Sequence, residues 1–338
     1  MQGLPNSNPT SEDDISQAQA RIPRPAFDRR AIPDGAREGQ WRAGDGHAIR
    51  RIDWLLQGGE ARGSLLFLPG RGDNYEKYLE TLDHWAQSGW NVTAIDWRGQ
   101  GASGRFGSDA VTGHIEDYAQ WLDDLAGFWS DWTGERPGPH VAVGHSMGGH
   151  ILLRALVEQR VAPRAAVLIA PMLGFVGNLP QVISRWTARL MSAIGDPRRQ
   201  AWRWNENPGE FPAGRINLLT HDADRYSDEL WWRSQRPELV MGPGSWGWVG
   251  ASLRSMAVLN RAGALEGVTT PTMIVATSAD KLVSASAIDR AAERLPNVTY
   301  LRMGSEAAHE ILREVDPVRD RALAAIDGFL DDAAEQAK

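Results

Sequence analysis

Val141-Ala142-Val143-Gly144-His145-Ser146-Met147-Gly148-Gly149-His150-Ile151-Leu152-Leu153 passes from an apolar run, through a serine set among glycines, into an apolar helical pattern. Its centre reads G-x-S-x-G. A serine on a sharp strand-to-helix turn is held in a strained backbone conformation, and small residues on either side let the chain bend that tightly. The hydroxyl then faces open space at a sheet edge. The helix starting there aims unpaired N–H groups and the positive end of its dipole at negative charge developing nearby. Ser146 is therefore the candidate nucleophile. The competing role, an N-cap serine satisfying backbone donors, fits poorly because Gly148-Gly149 is a weak choice for an ordinary first helical turn.

Short apolar runs alternate with helical patterns on both sides of this turn. Upstream, residues 63–68 and 91–96 read as strands, with a helix over 75–86 that stops near Gly89. Ile115, Tyr118, Trp121, Leu122, Leu125 and Phe128 recur at the three- and four-residue intervals of one buried helix face. Downstream, 165–170, 272–276 and 298–301 read as strands. A last helix opens at Asp316 and Pro317 and carries Val318, Ala322, Ile326 and Phe329 as an apolar stripe. The alternation predicts an α/β fold, a mostly parallel central sheet with helices on both faces.

Two segments depart from the rhythm. Residues 1–42 are polar, carry Pro23, Pro25 and Pro33, and read as an extended N-terminal arm. Residues 172–266 hold Trp186, Trp202, Trp204, Trp231, Trp232, Trp246 and Trp248 and read as an inserted helical cap, which leaves the core as 43–171 and 267–338. A cap that leaves the sheet after one strand and returns before the next has its ends at the strands' carboxyl edge, above Ser146.

The chain has 338 residues, a formal charge of -7 and no cysteine. The charge argues against nucleic acid as a partner, and the missing cysteine removes disulfides and thiolate metal sites and fits a reducing compartment. The N-terminus lacks the basic start and apolar run of a secretory signal, and no stretch approaches the roughly 18 apolar residues of a membrane span. A soluble, cytoplasmic protein is expected.

A serine hydroxyl is a weak nucleophile, so a base must take its proton and a third group must orient that base. On sheets that carry this kind of turn, the acid and then the histidine follow the serine, each on a loop after a later strand. Only His221 and His309 lie beyond the helix after Ser146; His221 falls in the cap and His309 follows the last strand. Asp280 comes directly after the strand ending near Ala276, whereas Asp289 lies within a helical stretch. These positions nominate Ser146, His309 and Asp280. An oxyanion hole is expected from the N–H of Met147 and an N–H of the loop Pro69-Gly70-Arg71-Gly72, where Arg71 contributes its backbone and not its charge.

Phe67-Leu68-Pro69-Gly70-Arg71, Asp96-Trp97-Arg98-Gly99-Gln100-Gly101-Ala102-Ser103, the segment around Ser146, Ala170-Pro171-Met172, Ser278-Ala279-Asp280 and His309-Glu310 together resemble the monoacylglycerol lipase and lysophospholipase group of α/β-hydrolases. Pro-Gly-Arg in place of the commoner His-Gly, and Asn217-Leu218-Leu219-Thr220 in the cap, are similar to its bacterial lysophospholipase L2 branch. The resemblance runs from about Gly63 to the C-terminal helix. It implies the same triad and oxyanion donors, and a serine hydrolase that cleaves carboxylic esters of monoacyl lipids through an acyl-enzyme, with no metal or organic cofactor. A small-molecule acyl ester is the expected partner, with transient membrane-surface contact through the cap. A small-ester esterase, a thioesterase and a proline-iminopeptidase-like peptidase share the triad and stay open, as does oligomeric state. A non-catalytic receptor would be expected to lack a triad member, and Ser146 excludes an aspartate nucleophile.

Overall fold

The computed structural model describes residues 27–56, 61–177, 190–191, 194–202 and 213–335. Eight strands form one sheet: β1 (Ala36–Arg42), β2 (Ala48–Trp54), β3 (Ser64–Leu68), β4 (Asn91–Ile95), β5 (His140–His145), β6 (Ala165–Ile169), β7 (Thr272–Thr277) and β8 (Val298–Met303), in the order β1-β2-β4-β3-β5-β6-β7-β8. From β4 to β8 every neighbouring pair is parallel, and β1 and β2 form an antiparallel hairpin that adds to β4. The helices are α1 (Leu79–Gln87), α2 (Tyr118–Glu135), α3 (Met147–Val157), α4 (Ala213–Leu219), α5 (Ala223–Gln235), α6 (Trp246–Leu259), α7 (Ala285–Arg294) and α8 (Asp316–Glu335).

Strands β3, β4 and β6 are buried along their whole length, as a sheet covered on both faces requires. The side-chain period of two sends Leu66 and Leu68 to one face and Leu65 and Phe67 to the other. The first face packs on α2, α3, α6 and α7, and the second on α1 and α8. The sheet therefore separates two apolar clusters and leaves its carboxyl edge for loops.

The N-terminal boundary differs from the sequence reading. Ala36–Arg42, taken there as the end of an extended arm, is edge strand β1, paired with β2 from Ala36 opposite Trp54 to Arg42 opposite Ala48. Both of its faces are largely exposed, so Arg37, Glu38, Gln40 and Arg42 erase the alternation that would betray a half-buried strand. Residues 1–26 of the arm, and Trp186 and Trp204, lie outside the described residues. The helix read over 75–86 begins as a 3₁₀ turn, Tyr75–Tyr78, before α1. Among the described residues no helix is long and apolar enough to cross a membrane.

Candidate active site

Ser146 takes φ 52° and ψ -113°, a region that L side chains rarely adopt, between the end of β5 and the start of α3. The bend is held by Ser146 N donating to Ile169 O at 2.8 Å and His150 N donating to Ser146 O at 3.0 Å. Such strain is stored where surrounding structure over-determines it, at about 1–3 kcal/mol. The glycines are required by contact. A Cβ on Gly148 would lie 2.2 Å from Leu68 O and 2.5 Å from Pro69 O, and one on Gly144 would lie 2.7 Å from Gly149 N. The turn thus packs backbone to backbone on the loop that leaves β3.

The three nominated side chains meet at the carboxyl ends of β5, β7 and β8. His309 Nε2 lies 2.9 Å from Ser146 Oγ, and His309 Nδ1 lies 2.7 Å from Asp280 Oδ2. The other carboxylate oxygen of Asp280 accepts from Leu282 N at 2.8 Å and Val283 N at 2.9 Å, which fixes the carboxylate plane. Burial alone would raise the Asp280 carboxyl. The charge and hydrogen bond of His309 and the two loop N–H groups outweigh it and hold Asp280 below its ordinary value. For His309, burial pulls the pKa down, while the charge and hydrogen bond of Asp280, then Glu310 and Asp73, raise it above the ordinary 6.5. His221 pairs with Glu314 at 2.9 Å, and Asp289 in α7 accepts from Tyr300 and Arg302.

Met147 opens α3, so its N–H belongs to the first turn, where no intrahelical acceptor exists. The loop after β3 is pinned by side chains on both sides of Arg71. Gly70 N donates to Asp73 Oδ2 at 3.1 Å, Gly72 N donates to Gln100 Oε1 at 2.8 Å, and Trp97 Nε1 donates to Pro69 O at 2.8 Å. The guanidinium of Arg71 points away from this loop into the segment between β6 and β7. It donates to Gly242 O at 2.6 Å and stacks 4.9 Å from Trp248 and 5.4 Å from Trp202.

Behind the site lies a buried polar cluster that the sequence reading did not single out. Lys77 Nζ is 2.5 Å from both Asp73 Oδ1 and Glu310 Oε1 and 3.2 Å from Glu229 Oε2. Arg313 pairs with Glu310 and Glu229, and Arg215 and Arg233 also reach Glu229. Tyr78 donates to Asp73 Oδ2 at 2.8 Å and lies 2.9 Å from His145 Nδ1. Burial would raise Asp73, yet Lys77 and His145 hold it well below its usual value. Among the described residues no group of His, Asp and Glu side chains is arranged to hold a metal ion.

Above Ser146 and His309 opens a cavity of about 680 Å³. Met172, Phe175, Trp202, Leu218, Met241 and Trp248 supply apolar wall, and Arg71, Asp73, Arg215 and Glu310 supply polar wall.

The parallel sheet, the turn at Ser146 and the ordered serine, acid and histidine define an α/β-hydrolase. The chain belongs to the family described as serine aminopeptidase, S33, whose model matches residues 59–316, and to its group of lysophospholipases and monoacylglycerol lipases. It is 33% identical to lysophospholipase L2 of Escherichia coli over 281 residues, 78% of this chain and 79% of that protein. Probable lysophospholipase L2 of Haemophilus influenzae is 24% identical over 270 residues, 79% of this chain and 83% of its own. The fold superposes on a soluble variant of monoglyceride lipase from Saccharomyces cerevisiae with a TM-score of 0.71 at 19% identity, covering 91% of this chain and 98% of that one.

Proposed function

We propose that this chain hydrolyses the carboxylic ester of monoacyl lipids, lysophospholipid or monoacylglycerol, through an acyl-enzyme on Ser146. The observation that carries the reading is the continuous contact from Asp280 through His309 to Ser146 on the floor of the cavity. The names of the relatives, lysophospholipase and monoglyceride lipase, support the substrate class.

In this reading His309 Nε2 takes the Ser146 proton as Oγ attacks the ester carbonyl, and Asp280 holds the imidazolium that forms. The tetrahedral oxygen is met by the N–H groups of Met147 and Arg71. His309 returns the proton to the departing glycerol oxygen, and water activated by the same imidazole then cleaves the acyl-enzyme. Residues 172–266 act as a cap, a role supported by the cavity wall that Trp202, Met241 and Trp248 contribute from that segment. Each methylene buried there is worth about 0.8 kcal/mol. Transient contact with a membrane surface belongs to the same reading, supported by the exposed Phe175, Val176, Leu190, Ile194 and Trp202. A cytoplasmic site of action completes it.

The test is a panel of monoacylglycerol, lysophospholipid, nitrophenyl esters from acetate to palmitate, and an aminoacyl amide. Long-chain monoacyl esters are expected to be turned over best, with Ser146→Ala slower by at least about 10³-fold. Preference for acetate or for the amide would overturn the substrate class, and an active Ser146→Ala would overturn the nucleophile.

A further inference from the structure

In the proposed mechanism the loop Pro69-Gly70-Arg71 carries an oxyanion donor, and its Gly70 N–H is held by a side chain from behind. Asp73 and His145 lie directly behind the loop. Asp73 Oδ2 accepts from Gly70 N at 3.1 Å and from Tyr78 at 2.8 Å, and lies 3.1 Å from His145 Nδ1. On its far side His145 Nε2 is 3.3 Å from the backbone oxygen of His309. A carbonyl and a carboxylate only accept, so Nε2 donates in the contact with His309 and Nδ1 donates in the contact with Asp73.

We propose that Asp73 and His145 are a positioning pair that ties the oxyanion loop to the backbone of His309, so that the Arg71 N–H and the His309 imidazole keep a fixed separation during turnover.

Three observations support this beyond the hydrogen bonds. Both side chains are nearly sealed from solvent, 5% and 2% exposed, so water cannot stand in for a lost partner. The loop rests on the pair without clearance: a Cβ on Gly70 would come 2.7 Å from Asp73 Oδ2, 3.1 Å from His145 Nδ1 and 3.1 Å from Ser146 Cβ. A second route closes the ring, because Lys77 holds Asp73 and also Glu310, the residue after His309. Neither Asp73 nor His145 bonds Ser146 Oγ or the imidazole nitrogens of His309, so their effect passes through the backbone they hold.

The inference rests on Ser146 being the nucleophile, and Ser146→Ala is measured alongside. Asp73→Asn, His145→Ala and His145→Gln are assayed on a medium-chain nitrophenyl ester, with rates expressed per site labelled by a fluorophosphonate and with melting curves recorded. Positioning predicts a fall in kcat of about 10²-fold for Asp73→Asn and His145→Ala, the size of losing one oxyanion donor, with KM within about threefold. His145→Gln, which keeps an N–H able to reach the His309 carbonyl, is expected to recover at least about tenfold of that loss. Unchanged kcat overturns the inference. So does a loss that vanishes when rates are expressed per labelled site, since this marks a role in folding alone. An active Ser146→Ala would instead sink the nucleophile assignment on which the pair depends.

Discussion

In the proposed mechanism His309 must be neutral to accept the Ser146 proton, and three carboxylates bear on it. Burial lowers its pKa, but Asp280, Glu310 and Asp73 leave it raised above 6.5. The acid limb of kcat/KM is therefore expected above pH 6.5, with activity lost as pH falls through the raised value; a pH–rate profile with the limb below 6.5 would contradict it. Asp280→Asn removes the largest favourable charge, so the limb should move to lower pH while kcat drops by about 10⁴-fold. That Ser146, Asp280 and His309 come together was legible in the sequence, because chain order assigns each to the end of a given strand; the oxyanion roles of Met147 and Arg71 belong to the proposed mechanism. Asp73 and His145 were not legible. Their meaning depends on burial and on the meeting of the loops after β3, β5 and β8, which no local pattern encodes.

At the scale of elements, glycine shows how differently one residue acts in two helices. Gly148 lies in the first turn of α3 against Leu68 O, and Gly328 lies exposed in α8 with open space where a Cβ would stand. Gly148→Ala should destabilise by about 3 kcal/mol, through overpacking and displacement of the β3 loop. Gly328→Ala should stabilise by about 0.5–1 kcal/mol from helix propensity alone. Urea unfolding of both variants checks the pair, and shifts of the same sign would refute the reading. Strands β3 to β7 were readable as apolar runs because these parallel strands are covered on both faces. Strand β2 was missed because Arg50, Arg51 and Asp53 interrupt its apolar residues, with Arg51 buried through ion pairs to Asp53 and Glu135. Helix α5 hides its period in the same way, burying Arg225, Asp228 and Glu229 beside Tyr226 and Trp232.

At the scale of the whole molecule, four described tryptophans between β6 and β7 divide by task. Trp202 and Trp248 face the cavity, while Trp231 and Trp232 lie edge to face in α5, where Trp232 donates to Arg29 O at 2.8 Å and the Arg30 guanidinium is 5.9 Å from the Trp231 ring. Trp202→Ala should lower kcat/KM for palmitoyl esters about tenfold and leave acetate nearly unchanged; equal losses on both would show that Trp202 does not contact the acyl chain. Arg225 binds α5 to the rest of the fold, reaching Glu80 of α1, Asp316 of α8 and Glu314 O from a side chain only 6% exposed. Arg225→Met should reduce stability by roughly 3 kcal/mol, read as a lower melting temperature. Composition marked the tryptophan-rich segment but could not sort its rings, since sorting needs the tertiary contacts. Arg71 spans both parts: its peptide belongs to the loop beside the nucleophile and its guanidinium is wedged between Gly242 O and the Trp248 ring. With Arg71 as the proposed oxyanion donor, acyl-chain range and turnover are expected to change together. A lineage or a directed-evolution campaign that widens the cavity at Trp248 is expected to loosen the anchor of the loop that carries Arg71, with compensating changes at positions 71 and 242 before breadth and speed are regained together.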